Sequence, residues 1–385
     1  MIMNQINTNY PVKVVLKVVG WDFGHGDNKF FYIKGQDRTD DGKLYHKLDF
    51  FAFPSVTYIP SKSAITNLDS VLGGERDPYS LANLTVVYQN KTYYVGLKAI
   101  KKDADGGDQN LQPTRYKEDS AIVQLLAGLA YMFPVATEIE VEYLMVGLSL
   151  ESFYKYGDDL ENFYTAKEFH FQVPGESGTM RAIKVQIDNV KCSAQGIGAY
   201  YDHFIEFSYL KVCLSKVNAT KMQNTRYGII DVGYKTIDIF AAEGMETVDN
   251  SDVCLDNGIG KLFEDLSVQY GDAPPKTIER DYYAGKSYFY YDGIRYENFQ
   301  ATVAAKIDGL AEEIAKKIYN KWRRYLKQIE IILLCGGGAF ALADKLRKLI
   351  DINIIVPNDP QFANARGYFK LGFVLRREFE GDDVA

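Results

Sequence analysis

Asp22-Phe23-Gly24-His25-Gly26-Asp27-Asn28-Lys29 and Asp231-Val232-Gly233-Tyr234-Lys235-Thr236-Ile237-Asp238 are two versions of one turn, set in the two halves of a 385-residue chain. Each follows an apolar stretch, Val12 to Val19 and Tyr227 to Ile230, that reads as a strand. Each puts an aspartate where the strand meets the glycines. Glycine lets a backbone take positive φ and approach an anion closely, so that successive amide N–H groups point at phosphate oxygens. An aspartate beside phosphates needs a hard cation between them, and Mg²⁺ with its retained waters suits that place. The pair of turns therefore predicts a divided phosphate clamp.

Length suggests two or three domains, and 46% hydrophobic residues are ample for sizeable cores. No apolar run reaches the roughly 18 residues of a spanning helix; the best candidate, Ala121 to Ala136, carries Gln124 and Pro134. The polar stretch Met1 to Tyr10 is not expected to act as a signal peptide. Cys192, Cys213, Cys254 and Cys335 form no C-x-x-C pair, which argues against a zinc site or a disulfide framework and fits a reducing cytoplasm. A net charge of −7 leaves no basic footprint for direct nucleic-acid binding. Membrane attachment is not expected either, because the chain closes on Arg376-Arg377-Glu378-Phe379-Glu380-Gly381-Asp382-Asp383 rather than on a basic amphipathic helix.

Along the first half, residue patterns predict strands near Tyr45 to Ile59 and Leu84 to Leu97 and a helix over Glu118 to Met132. Strands over Glu138 to Gly147, Lys167 to Val173 and Ala182 to Val190 follow, then a helix over Gly198 to Leu210 with Tyr200, Phe204 and Phe207 on one face. Leu214 to Asn224 reads as a boundary. The second half restarts at the Asp231 turn, with helices near Gly258 to Tyr270 and Pro275 to Ala284, a hairpin turned at Asp292-Gly293, and a long helix from Glu297 to about Tyr325. A strand (Glu330 to Cys335), Gly336-Gly337-Gly338, a helix (Ala339 to Leu349), a strand (Asn353 to Val356) and a final helix from about Gln361 complete it. The alternation predicts an α/β protein with a coarse internal duplication. The aromatic run from Tyr282 to Tyr296 reads as core packing or a subunit interface rather than base stacking, for want of interleaved basic residues.

Singly, either turn is also an ordinary tight turn. Together with Gly336-Gly337-Gly338-Ala339, where glycines and a positive helix end suit an anion or a flat ring, they form a specific set. With these residues in this order the chain resembles the actin, Hsp70 and sugar-kinase superfamily, and within it is similar to the bacterial actin-like plasmid partition proteins, the ParM and Alp group. Phe53-Pro54-Ser55, Tyr94-Val95-Gly96, Gly147-Leu148 and Gln361-Phe362-Ala363-Asn364-Ala365-Arg366-Gly367-Tyr368 resemble that group as well, the last most discriminatingly. The resemblance implies an actin-like ATPase fold, two duplicated RNase H-like α/β domains facing a nucleotide cleft. Domain I would span residues 1–215 plus the C-terminal helix 361–385, with a small subdomain at about 44–113; domain II would span 222–360, with a small subdomain at about 257–325.

The resemblance also implies roles. Asp22 and Asp231 would hold Mg²⁺ through water, and the backbone at Gly24, His25 and Gly26 and at Gly233, Tyr234, Lys235 and Thr236 would wrap the β- and γ-phosphates. Lys29 would reach the phosphates, Gly336, Gly337 and Gly338 would face the adenosine part, and Asp238 would assist the metal or the water. Gln195 would face the γ-phosphate, where an amide orients water but is a poor base, which suits slow hydrolysis serving as a timer. Lys235 stands where many relatives have a small residue, Cys335 is expected to be a small buried hydrophobe, and His25 a solvent-exposed turn residue. The implied protein is a cytoplasmic, slow NTPase that hydrolyses ATP, with GTP as the alternative. It would polymerise with itself into a helical filament and segregate plasmid DNA through a DNA-bound, centromere-binding adaptor. A metabolic kinase of the same superfamily is the other reading, although no motif for a catalytic base or a sugar pocket is found.

Overall fold

The computed structural model describes residues 12–38, 44–61, 77, 79–103, 107–175, 179–208, 211–213, 216–244 and 246–380. Met1 to Tyr10, Leu214, and Gly381 to Asp383, on which some of the sequence expectations rest, lie outside the described residues. Contacts divide the chain into one unit of residues 1–146, 154–192 and 372–385 and a second of residues 147–153 and 193–371.

The first unit is built on strands β1 (Lys13–Leu16), β2 (Val19–Phe23), β3 (Asp27–Arg38), β4 (Leu44–Pro54), β5 (Thr57–Tyr58), β6 (Thr85–Tyr88), β7 (Lys91–Val95), β8 (Glu138–Leu148), β9 (Lys167–Pro174) and β10 (Met180–Ala194). They form one sheet in the order β4-β3-β2-β8-β10-β9-β6-β7-β5, with β1 paired in parallel to β8. Its helices are α1 (Leu97–Lys102), α2 (Asp119–Met132) and most of α3 (Leu150–Tyr164). Strand β2 is buried along its whole length, as expected of a strand inside a sheet covered on both faces. Trp21 and Phe30 stack at 6.0 Å, Phe30 and Phe51 at 5.1 Å, and α2 lies so close to them that a Cβ on Gly128 would sit 2.4 Å from the Phe30 ring.

The second unit holds α4 (Ile197–Phe204), β11 (Glu206–Ser208), β12 (Lys211–Cys213), α5 (Lys216–Asn224), β13 (Arg226–Val232), β14 (Ile237–Glu243), β15 (Glu246–Thr247) and β16 (Val253–Leu255). It continues with α6 (Ile259–Gln269), α7 (Pro275–Tyr283), β17 (Phe289–Tyr291), β18 (Ile294–Tyr296), α8 (Phe299–Lys321), β19 (Ile329–Cys335), α9 (Ala339–Leu349), β20 (Asn353–Ile355) and the first half of α10 (Ala363–Glu380). Its main sheet runs β15-β14-β13-β19-β20, with β16 also on β14. Helix α8 buries Phe299, Val303, Ile307, Leu310, Ala311, Ile314 and Ile318, the 3.6-residue stripe of a helix lying on a core. Among the described residues no helix is long and apolar enough to cross a membrane.

Several expected elements are redrawn. The strand expected over Val12 to Val19 is two strands, broken at Lys17 and Val18. Leu84 to Leu97 is a hairpin because Gln89 and Asn90, at φ 48° and 62°, make a two-residue turn whose twist suits antiparallel strands. The helix expected to reach Leu210 ends at Phe204; Phe207 belongs instead to β11, which pairs with β12. Helix α3 went unread, and the polar stretch taken as a boundary forms α5 from Lys216 onward.

Helices α4 and α10 pack with their backbones almost touching. A Cβ on Gly367 would lie 1.7 Å from the Gly198 carbonyl oxygen, and one on Gly198 would lie 2.6 Å from the Asn364 carbonyl oxygen. Arg366 clamps the pair through Nε and Nη2 to the two oxygens of Asp202, at 2.8 and 2.6 Å. The small residues of the Gln361 to Tyr368 stretch thus have a packing cause. Gly367→Ala should destabilise the protein by about 3 kcal/mol or more, since backbone must move. Gly309→Ala, on the exposed face of α8 with nothing near its added Cβ, should stabilise by about 0.5–1 kcal/mol. Urea denaturation of both variants checks the contrast; equal effects would contradict the packing described.

Candidate phosphate-binding turns

In the first unit β2 and β3 pair in antiparallel register, Asp22 opposite Lys29 and Phe23 opposite Asn28. Lys29 Nζ donates to Asp22 Oδ2 at 2.8 Å, an ion pair almost fully shielded from solvent. All three carbonyl oxygens of the turn are taken by the protein. Ser55 Oγ donates to Gly24 O at 2.7 Å, the Ser55 amide donates to Gly26 O at 2.9 Å, and Gln109 Nε2 donates to His25 O. A trans peptide unit points its N–H opposite to its C=O, so the amides of His25, Gly26 and Asp27 are directed away from Ser55 and Gln109. Ser55 is itself fixed from behind: Asn28 Nδ2 donates to its hydroxyl at 3.0 Å, and Trp21 Nε1 donates to Asn28 Oδ1 at 3.0 Å.

The second turn repeats this plan with different donors. The amides of Ile259, Gly260 and Gly258, at the start of α6, donate to the carbonyls of Gly233, Tyr234 and Lys235 at 3.0, 2.8 and 2.8 Å. The amides of Tyr234, Lys235 and Thr236 therefore point the other way. The approach demands glycine, because a Cβ on Gly258 would meet the Tyr234 carbonyl oxygen at 2.4 Å and one on Gly260 the Tyr234 ring at 2.5 Å. Positive φ, expected of the turn glycines, is not what Gly24 and Gly233 supply: their Cβ atoms would crowd Asp27 O at 2.6 Å and Thr236 O at 3.0 Å. Left-handed backbone occurs instead at Gly336, φ 85°.

Gly336 also brings the third glycine element against the second turn. A Cβ there would stand 2.4 Å from Asp231 Oδ1 and from Val232 O, and the Gly338 amide donates to Val232 O at 3.1 Å. Parallel pairing of β13 with β19, Asp231 beside Cys335, sets this up, and Cys335 is fully buried as expected. Gly337 has open space around it, and Phe340, three residues on, is 70% exposed.

Asp231 and Asp238 are direct cross-strand partners and so share a face of the hairpin. Both are buried, Asp238 with 2% of its surface exposed. Asp238 Oδ2 accepts from the Leu150 amide at 3.2 Å, the first residue of α3, while its Oδ1 has no hydrogen-bond partner. Burial pushes its carboxyl up to about 6, against the Cys254 thiol and the Leu150 amide, which pull it down. No group of three or more His, Cys, Asp or Glu side chains able to cage a metal ion exists among the described residues. Two carboxylates with an unsatisfied buried oxygen fit a cation that keeps most of its waters, as Mg²⁺ does. Gln195 directly follows β10, its backbone N–H donating to Leu148 O at 2.7 Å, and His25 is half-buried rather than fully exposed.

Four residues of the site carry roles the sequence reading did not assign. Arg115 is buried, stacks 3.9 Å over the Phe23 ring and donates to Phe23 O at 2.6 Å; burial pushes its guanidinium down to about 9, while the charge of Asp22 holds it up. Nothing in its sequence surroundings marks it. Gly258 and Gly260 carry a readable sign, a G-x-G at a helix start. Asn364, inside the stretch singled out for resemblance, donates through Nδ2 to Asp231 Oδ2 at 2.7 Å.

Residues 20–198 match the family model of the N-terminal domain of actin-like proteins, and residues 229–348 match that of the C-terminal domain of archaeal MreB-like actin homologues. Among solved structures, a 15-stranded ParM filament from Clostridium botulinum aligns over 94% of this chain and 100% of its own, at 21% identity and TM-score 0.68. The actin-like protein Alp7A aligns over 96% and 99%, at 16% identity and TM-score 0.70. An archaeal actin homologue in complex with ADP aligns over 94% and 99%, at 18% identity and TM-score 0.64. At such identities the likeness is one of fold. No curated protein sequence matches the chain.

Because the Asp238 carboxyl is raised from 3.8 to about 6 by folding, its contribution to stability is full below about pH 4 and is lost as pH rises through 6. Asp238→Asn should abolish that part of the pH dependence, worth roughly 3 kcal/mol between pH 4 and 8. Denaturation midpoints of both proteins at pH 4 and pH 8 test this; parallel pH profiles would count against it.

Proposed function

The chain belongs to the actin-like proteins, and on that footing we propose that it is a nucleotide-driven filament protein which binds ATP, or GTP, with Mg²⁺ and assembles head to tail with copies of itself. The observation that carries this reading is the shared construction of the two turns, each with three carbonyls tied back and three successive amides turned to the opposite side. Such a row of amides is an anion cradle that adds no charge of its own. Nucleotide held by such a cradle would shift a conformational equilibrium only through its differential affinity for the two states.

Asp231, with Asp238 beside it on the hairpin, would hold Mg²⁺ through water, and the ion would supply neutralisation of charge on the β- and γ-phosphates. Lys29 has three donors, so its ammonium can keep Asp22 and still donate to a phosphate oxygen. Gln195 would orient the attacking water without taking its proton, leaving hydrolysis slow. The exposed ring of Phe340, near the open space at Gly337, offers an apolar face to the base.

A heterologous contact that does not close generates an open helical filament from one repeated interface. Hydrolysis within the polymer would then weaken it. With a net charge of −7, movement of plasmid DNA would pass through a DNA-bound adaptor rather than through direct contact.

Light scattering with Mg²⁺–ATP, with GTP and with neither tests assembly, and phosphate release with and without sugars tests the chemistry. Nucleotide-dependent scattering with sugar-independent turnover is expected; sugar-dependent turnover without assembly would sink the proposal. Phe340→Ala should weaken nucleotide binding by about 1–3 kcal/mol, the worth of one base–aromatic stack, measured by titration of a fluorescent nucleotide. An unchanged affinity removes the ring from the site.

A further inference from the structure

The geometry points to Asn364 as a positioning residue that ties the orientation of the Asp231 carboxylate to the backbone behind Gln195. This inference rests on the nucleotide site proposed above and adds to it a link between its metal-holding side and its hydrolytic side. Asn364 is buried, with 3% of its surface exposed, and sits in the first turn of α10. Its Oδ1 accepts from the amides of Gly196 and Ala199 at 2.9 and 3.1 Å, and its Nδ2 donates to Asp231 Oδ2 at 2.7 Å. The assignment of the two amide atoms follows from chemistry. Backbone N–H groups can only donate and a carboxylate can only accept, so a flipped amide would lose all three bonds.

The three bonds place one side chain between two functional segments. Gly196 directly follows Gln195 in a left-handed conformation, φ 84°, and a Cβ there would meet the Phe240 ring at 2.9 Å, so this backbone has little room to relax. Ala199 lies in the first turn of α4, whose free amides the Asn364 oxygen satisfies as a capping side chain would. On its other side, the donor from Asn364 and the backbone of Gly336 bracket the two oxygens of Asp231. The close contact of Gly198 with Gly367 and the hydrogen bond from Tyr368 Oη to Ala194 O, 3.2 Å, hold α10 where Asn364 can reach both. A displacement of the Gln195 segment is therefore felt at Asp231, and a change in how Asp231 is engaged is felt at Gln195.

Hydrogen-bond partners of metal-holding carboxylates typically contribute about 10–100-fold in metal affinity or activity. Two variants separate the arms of the link. N364D is isosteric, keeps an acceptor for Gly196 and Ala199, and replaces the donor to Asp231 by an acceptor; N364A removes both arms. Phosphate release from ATP is measured over a Mg²⁺ titration, alongside a melting curve and nucleotide binding in EDTA. The Mg²⁺ midpoint should move at least tenfold in both variants, and kcat at saturating Mg²⁺ should fall further, by about tenfold, in N364A than in N364D. A mere loss of stability lowers the active fraction and leaves the midpoint in place. Should N364A not fold, the N364D midpoint decides alone. Midpoints within twofold of wild type overturn the assignment, and equal kcat in the two variants overturns the link to Gln195. A wild-type protein with no Mg²⁺-dependent nucleotide binding overturns the proposed function instead, and is recognised before any variant is made.

Discussion

A planar trans peptide cannot present both its polar atoms on one side, and both turns of this protein exploit that constraint. Once a carbonyl oxygen is bound by the protein, the amide of the same unit is aimed outward without further cost. The side chains of Ser55 and Gln109 with the Ser55 backbone amide do this for the first turn, and the first three amides of the α6 region do it for the second. The helix end in the second turn is thereby spent on protein carbonyls. Its polarity passes through three aligned peptide units to the turn's outer face.

The two turns differ in their carboxylates. Asp22 lies in an ion pair with Lys29 and within the field of buried Arg115, so its charge is balanced inside the protein. Asp231 is oriented by the neutral amide of Asn364, and the carboxyl of Asp238, across the hairpin, is raised chiefly by burial. The first arrangement suits direct phosphate binding by amides and an ammonium. The second suits a hydrated divalent cation.

Much of the fold was legible because its signals are local. The Asp292-Gly293 turn takes the left-handed conformations its residues favour, and α9 runs from Ala339 to Leu349 as its apolar spacing predicts. The hairpin turns themselves were legible through Asp22, Asp231 and their glycines. What was misread depends on tertiary surroundings. Phe207 continues the helical stripe of Tyr200 and Phe204 in sequence, yet β12 offers it a strand partner and the helix stops. The turn glycines were expected for their φ but are required by crowding from Asp27 O and Thr236 O, which no one-dimensional pattern reveals. Arg115 is 92 positions from the Phe23 carbonyl it binds, and Asn364 is 133 from Asp231. Separations of that size leave no trace in a local motif.

The central proposal is that the outward-facing amides at residues 25–27 and those at residues 234–236 each receive nucleotide phosphates. Hydrogen exchange followed by mass spectrometry, with and without Mg²⁺–ATP, reads those amides directly. New protection in peptides covering both turns at the same nucleotide concentration is the result the account predicts. Exchange that is unchanged in both turns while nucleotide is bound would contradict it.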